Sequence, residues 1–212
     1  MNFHNPGLAL TMPVKQKIPY DYGVFFITFT CYRWLHLFEI TNSYDLVYKW
    51  FDALKEMGHF IVGYEIMPNH LHAVIAFRKS KKDINLIIGN GKRLMAYEIV
   101  RRLKACNQQD ILLQLEAAVN SSDRARSKLH EVWEDSFDWK YLYSDKLIIQ
   151  KLDYMHWNPC VGKWNLVDSP QDYIHGSARY YILDEQGYYP ITSYSELEDI
   201  DLSVPLFDSK GS

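Results

Sequence analysis

The sequence predicts a mixed α+β fold in which an antiparallel sheet carries helices on one face. Three observations predict it: an apolar, β-branched segment early in the chain, a strand–turn–strand pattern around residues 68–69, and helical periodicity between and after these strands. The chain has 212 residues, 48% of them apolar and 23% charged. This composition suits one packed domain with appendages.

The first half of the chain predicts the order strand, helix, strand, strand. Residues 24–32 are β-branched and aromatic, which is typical of a strand. A helix should follow, because apolar residues recur at helical spacing after a possible cap at Asn42 or Ser43 and before Gly58. The next two strands are residues 59–67 and 70–77, joined by a Pro68-Asn69 turn.

The second half predicts further helices and one more strand. Residues 83–106 are expected to form one or two helices broken near Gly89-Asn90-Gly91, whose spacing does not match a phosphate-binding loop. Residues 110–120 should be helical, and the polar segment 121–130 should be a linker or a helix end. The last elements are a strand at 137–143 and a helix from Ser144 to about Trp157, stopped by Asn158-Pro159.

Pattern and charge divide the chain into three parts. Residues 1–20 have no periodicity and predict an N-terminal arm, residues 21–182 predict the main domain, and residues 183–212 predict an acidic tail with seven acids against one lysine. The net charge is −3, yet residues 78–104 hold nine Lys and Arg against two acids. This run predicts either the solvated face of a helix or a surface that attracts a phosphate backbone.

The sequence also indicates the cellular compartment of the protein. No apolar run is long enough to span a bilayer, so no membrane association is expected. The N-terminus lacks the pattern of a secretory signal, and the three cysteines suggest neither a disulfide framework nor a zinc cluster. We therefore expect a cytoplasmic protein.

Two short segments carry the chemistry. His70 and His72 alternate with apolar residues on a predicted strand, so both should point to one side and could ligate one divalent ion. A His-x-His pair can equally be structural, and a third ligand is needed. On the last helix Tyr154 and Asn158 are four residues apart and share a face, although such a tyrosine can also be an ordinary core-edge residue.

These groups suit phosphoryl transfer. An amide oxygen such as that of Asn158 suits a hard cation such as Mg²⁺ or Mn²⁺. A protonated phenol is a weak nucleophile, but it can attack a phosphodiester whose charge a metal ion withdraws. The product would be a phosphotyrosine that keeps the bond energy, so the strand could be joined to a different hydroxyl.

The same segments resemble a known family. Met67-Pro68-Asn69-His70-Leu71-His72 resembles the HUH signature of the IS200-like single-tyrosine transposases, and Tyr154-Met155-His156-Trp157-Asn158-Pro159 resembles their catalytic-helix motif. A Tyr-x-x-x-Asn-Pro segment is typical of the REP-associated branch. The similarity covers about residues 20–181. One departure is Cys160-Val161-Gly162-Lys163, which displaces the basic residue expected soon after Pro159.

The resemblance implies a fold and roles for individual residues. The fold would be a ferredoxin-like or RRM-like sandwich, and the protein would be a homodimer that acts on single-stranded, hairpin-bearing DNA. His70, His72 and Asn158 would be metal ligands, and Tyr154 would be the nucleophile that forms a 5′-phosphotyrosine. We also predict phosphate contacts from the following basic residues: Lys92, Arg93, Arg101, Arg102, Arg124 and Arg126.

The sequence thus predicts a metal-dependent single-strand DNA endonuclease and strand transferase. The same activity could serve either mobility or a host-maintained role. The alternatives are a nucleic-acid-binding protein without catalysis, derived from a transposase, and a hydrolase of small phosphoesters.

Overall fold

The computed structural model describes residues 17–134 and 137–206. Its sheet has four strands in the order β2-β3-β1-β4, and every neighbouring pair is antiparallel. The strands are β1 (Gly23–Thr30), β2 (Phe60–Met67), β3 (His70–Phe77) and β4 (Asp138–Tyr141). The helices are α1 (Leu37–Ile40), α2 (Tyr44–Glu56), α3 (Ile84–Ala105), α4 (Gln109–Ala117), α5 (Ser121–Ala125), α6 (Asp145–His156) and α7 (Ala178–Leu183).

The predicted α+β fold with an antiparallel sheet is confirmed. The elements β1, α2, β2, β3, α3 and β4 follow the strand–helix–strand–strand–helix–strand order of ferredoxin-like folds. Short 3₁₀ turns occur at Tyr32–Trp34, Asn158–Cys160, Pro170–Asp172 and Ser195–Asp199. In the described part of the chain, no helix combines the length and the apolar character that a bilayer crossing requires.

The expectation that helices lie on one face of the sheet is wrong in one respect, because α6 covers the other face. All eight residues of β3 are buried, so both faces of this strand need apolar cover. Helices α2, α3 and α4 pack on the larger core, which contains Phe25, Ile27, Leu71 and Ile75 of the sheet. Helix α6 packs through Ile148, Leu152 and Met155 on the opposite face, against Phe26, Val62 and Val74.

Helix α3 is continuous over 22 residues, so the predicted break near Gly89-Asn90-Gly91 is wrong. Gly91 is buried against α2, and a Cβ at this position would lie 2.4 Å from Nε1 of Trp50. The glycine therefore allows two helices to approach closely and does not end one. Gly89 is exposed, with open space where its Cβ would stand.

The two ends of the chain are in part packed on this domain. Ile18 is buried, and its backbone N–H donates a hydrogen bond to Oδ1 of Asn85. Beyond α7, Tyr189 and Ile191 are buried in the larger core. Residues 1–16 of the predicted arm and 207–212 of the predicted tail lie outside the described residues. The division of the chain at residues 20 and 182 stays a prediction.

Alanine substitutions at the two glycines of α3 should have opposite effects. We expect Gly91→Ala to lower the free energy of unfolding by about 1–3 kcal/mol, because the added methyl group overlaps the indole of Trp50. Gly89→Ala is the matched control and should raise it by about 0.5–1 kcal/mol through helix propensity. Urea unfolding of both variants measures the difference. Stabilisation by Gly91→Ala would contradict this packing.

Candidate active site

Strand β3 holds both histidines on the face that α6 covers. His70 lies opposite Thr30 and His72 lies opposite Thr28 in the β1–β3 register. The two imidazole rings are 4.7 Å apart between centroids, and both side chains are buried. The predicted placement of the pair on one side of the strand therefore agrees with the structure.

A fixed hydrogen-bond chain orients the ring of His70. The amide of Asn69 donates from Nδ2 to the carbonyl oxygen of Trp34 at 2.9 Å, which leaves its Oδ1 to accept from Nδ1 of His70 at 2.7 Å. Nδ1 of His70 therefore carries the proton, and the lone pair is on Nε2. Partners of this kind fix the tautomer of a metal-binding histidine.

The second histidine is held in a similar way. Nδ1 of His72 is 2.9 Å from Oγ1 of Thr28, and its ring stacks on Phe26 at 5.2 Å. Burial is the main cause that lowers the pKa of His70 to about 4 and the pKa of His72 well below its usual value. Both rings are therefore neutral at pH 7, which is the state that binds a metal ion.

Helix α6 and the turn after it bring the second motif to the histidines. Nδ2 of Asn158 is 3.0 Å from Nε2 of His70, and the ring of Tyr154 lies 5.6 Å from the ring of His72. The side chain of Tyr154 is accessible to solvent, with 56% of the residue exposed. The two segments meet within one chain, which means that α6 docks on its own sheet.

The donor set fits a divalent cation. Nε2 of His70, which carries the free lone pair, lies 3.0 Å from Nδ2 of Asn158. A half-turn of the amide would present its oxygen, the atom that ligates a hard cation, in place of this nitrogen. Across residues 17–134 and 137–206, no three residues of the His, Cys, Asp and Glu types group together to hold a metal. Asn158, the predicted third ligand, lies next to His70 in the cleft, and its role at a metal stays a prediction.

The cleft around these groups contains residues that the sequence reasoning did not single out. Its volume is about 560 Å³, and it is also lined by Trp34, Asp138, Lys151, Lys163 and Trp164. The Nζ atom of Lys163 lies 5.5 Å from the ring of Trp34 and 5.3 Å from that of Trp164. The basic residue displaced from its expected place after Pro159 therefore still reaches the site.

The predicted phosphate contacts lie away from this cleft, on and around α3 and α5 on the other side of the sheet. Arg102 pairs with Asp45 and Glu98, and Arg101 also pairs with Glu98. The others are placed as follows: Arg126 pairs with Asp123, Arg124 donates to the carbonyl of Glu116, Arg93 donates to Asn90, and Lys92 lies over Phe29 and Trp133. The structure does not bring them to the site, and their DNA contacts stay a prediction.

Two buried polar residues close to the site, His156 and Glu65, do not line the cleft. Nε2 of His156 is 2.8 Å from Oγ of Ser177, so this histidine faces away from the cleft and is structural. Glu65 lies beside His72 in the β2–β3 register and is fully buried. Its carboxyl group points to Gly176, and neither oxygen has a hydrogen-bond partner among the described residues. Burial raises the pKa of Glu65 well above its usual value.

Comparison with known proteins supports the same fold. No protein-family model and no curated protein sequence matches the chain. A solved structure of a REP-associated tyrosine transposase bound to a REP hairpin superposes with a TM-score of 0.57 at 14% identity, over 86% of this chain and 92% of that one. The chain has the fold of a REP-associated tyrosine transposase.

A second solved structure, from Deinococcus radiodurans and provisionally named a transposase, has a TM-score of 0.35 at 12% identity. It covers 66% of this chain and 95% of that one. The motif-based recognition of the REP-associated transposases agrees with the fold of the first of these two structures.

The buried carboxyl of Glu65 should make stability depend on pH. Its pKa is raised in the folded state, so the folded protein holds a proton that the unfolded chain releases above about pH 4.5, and stability falls as pH rises. We expect the free energy of unfolding of Glu65→Gln to equal that of the wild type near pH 5. At pH 8 it should exceed the wild-type value by about 1–3 kcal/mol. Thermal unfolding at both pH values tests this. An equal effect of the variant at pH 5 and pH 8 would contradict it.

Proposed function

We propose that this protein is a metal-dependent single-strand DNA endonuclease and strand transferase that works through a covalent 5′-phosphotyrosine. The observation that carries the proposal is the meeting of Tyr154, His70, His72 and Asn158 in one cleft of one chain. These residues come from segments more than eighty positions apart. A tyrosine at the edge of an ordinary core would not need two neutral, oriented histidines beside it.

Tyr154 is the nucleophile. Its phenolic oxygen attacks the scissile phosphorus while its proton passes to solvent, which the exposure of the side chain allows. The bond from phosphorus to the 3′ oxygen breaks, and that oxygen takes up a proton to become a free 3′ hydroxyl. Attack of another 3′ hydroxyl on the phosphotyrosine reverses these steps and joins a new strand.

His70, His72 and Asn158 would hold the Mg²⁺ or Mn²⁺ ion. Such an ion, when bound, supplies positive charge to the phosphate oxygens. The protein itself keeps the two imidazoles neutral by burial and fixes the ring of His70 through Asn69. The ring of His70 is therefore oriented before an ion arrives, which reduces the cost of ordering this ligand.

The cleft suits an unpaired strand. Trp34 and Trp164 border the histidines, and aromatic rings stack on bases without regard to sequence. The solved transposase with this fold was determined with a REP hairpin, and we propose hairpin-bearing single-stranded DNA as the substrate class here. A homodimer stays part of the proposal, although all four catalytic side chains belong to one chain.

A covalent adduct is the direct test. The purified protein is incubated with a labelled hairpin-bearing single strand and Mn²⁺ or Mg²⁺, then denatured and separated by size. We expect an adduct that resists denaturation, depends on the metal and disappears in Tyr154→Phe. Tyr143→Phe is the matched control, because Tyr143 is exposed just before α6 and lies outside the cleft.

The rival functions give different results in the same assay. Binding of the strand without an adduct under any metal would favour a non-catalytic nucleic-acid-binding protein. Turnover of small phosphoesters that survives Tyr154→Phe would favour a hydrolase.

A further inference from the structure

Lys151 lies in the cleft, one helical turn before Tyr154 on α6. Its Nζ atom is 4.9 Å from the ring centroid of Tyr154 and 4.7 Å from that of Phe26. Its charge also contributes to the lowered pKa of His72. The ammonium group therefore lies beside the ring of Tyr154, in the cleft that His72 also lines.

This ammonium group has no counter-ion in the described part of the chain. Lys151 makes no salt bridge there, whereas Arg101, Arg102, Arg126 and Lys128 all do. The strongest nearby charge acting on it is that of Lys140, which has the same sign. Asp138 also lines the cleft but makes no ion pair with Lys151.

The two aromatic faces attract the ammonium group of Lys151, but the group has lost part of its water and has no carboxylate partner among the described residues. Burial lowers the pKa of Lys151, which reflects this loss of solvation. An anionic ligand would restore the lost interaction through charge-assisted hydrogen bonds. The histidine and asparagine side chains of the site are all neutral and cannot supply that negative charge.

We propose that Lys151 binds a non-bridging oxygen of the scissile phosphate and so holds that phosphate beside Tyr154. The inference rests on the proposed function. The ammonium group stays protonated throughout, and no bond to Lys151 forms or breaks. Nucleophilic attack needs the phosphorus next to the phenol, and Lys151 is the cleft lysine whose charge lies there. Lys163 lies instead against Trp34 and Trp164, on the side of His70.

A charge-deletion experiment tests this contact without using catalysis. The scissile position is first mapped from the adduct of the wild-type protein with a labelled hairpin oligonucleotide. Binding of that oligonucleotide is then measured in EDTA in the Tyr154→Phe background, with and without Lys151→Gln. Two further oligonucleotides carry an uncharged methylphosphonate, one at the scissile phosphate and one at a distant phosphate.

We expect Lys151→Gln to weaken binding of the unmodified strand by about tenfold. The weakening should remain with the distant methylphosphonate and vanish with the scissile one, because the charge that Lys151 contacts is then absent. Lys151→Arg should keep most of the affinity. Lys146→Gln is the matched control, since Lys146 is exposed on α6 outside the cleft and should leave affinity unchanged.

Salt dependence gives a second readout. Loss of one phosphate contact should reduce the slope of log affinity against log salt by about 0.7 for a single strand. A merely structural role of Lys151 would lower the thermal stability and weaken all three oligonucleotides equally. That outcome, or an unchanged affinity of Lys151→Gln, overturns the inference.

The failures of the two proposals are distinguishable. If the wild-type protein forms no adduct with any hairpin strand, the proposed function fails and the role of Lys151 fails with it. If the adduct forms and Lys151→Gln binds all strands as the wild type does, only the role of Lys151 fails.

Discussion

The alternation of side chains along β3 determines which residues enter each core and which line the cleft. It sends Leu71 and its neighbours into the larger core and sends His70 and His72 to the opposite face. That face also carries Val74 and Ala76, so it needs an apolar cover, and α6 supplies one. The helix that completes the smaller core is therefore the helix that carries Tyr154, and packing and chemistry are joined in one element.

The hydrogen bond between Asn158 and His70 ties the end of that helix to the strand. Around it the cleft holds two uncharged imidazoles and an amide, and its two lysines, Lys151 and Lys163, outnumber its one carboxylate, that of Asp138. A divalent cation alone gains little electrostatic free energy from such surroundings, whereas a cation that binds together with a phosphate gains much. This excess of positive charge supports the proposal that the cleft binds a phosphodiester strand.

Much of this was predictable from local pattern. The strands, the turn at Asn69, the shared side of His70 and His72 and the shared face of Tyr154 and Asn158 all follow from periods of two and 3.6 residues. The helix break predicted at Gly91 is wrong. In sequence, a glycine that ends a helix cannot be told from one that lets a neighbouring indole pack closely, as Trp50 does here. The phosphate contacts predicted on α3 came from charge alone, which does not reveal that Arg102 is already paired with Asp45.

Other features needed the folded chain. Lys151 is three residues before Tyr154 and could have been found by helical spacing, but Trp34 reaches the histidines only through a turn with no sequence signal. The cover of both sheet faces by helices follows from complete burial of β3, which composition alone did not indicate.

We propose that His70 and His72 bind one divalent ion beside Tyr154. Pulsed electron paramagnetic resonance of the Mn²⁺-loaded protein measures it directly, because imidazole nitrogens bound to the ion couple to its electron spin. We expect coupling to two imidazole nitrogens in the wild type and to one in His70→Ala, with His130→Ala unchanged. Coupling that persists when both His70 and His72 are replaced by alanine, or that is absent in the wild type, would contradict it.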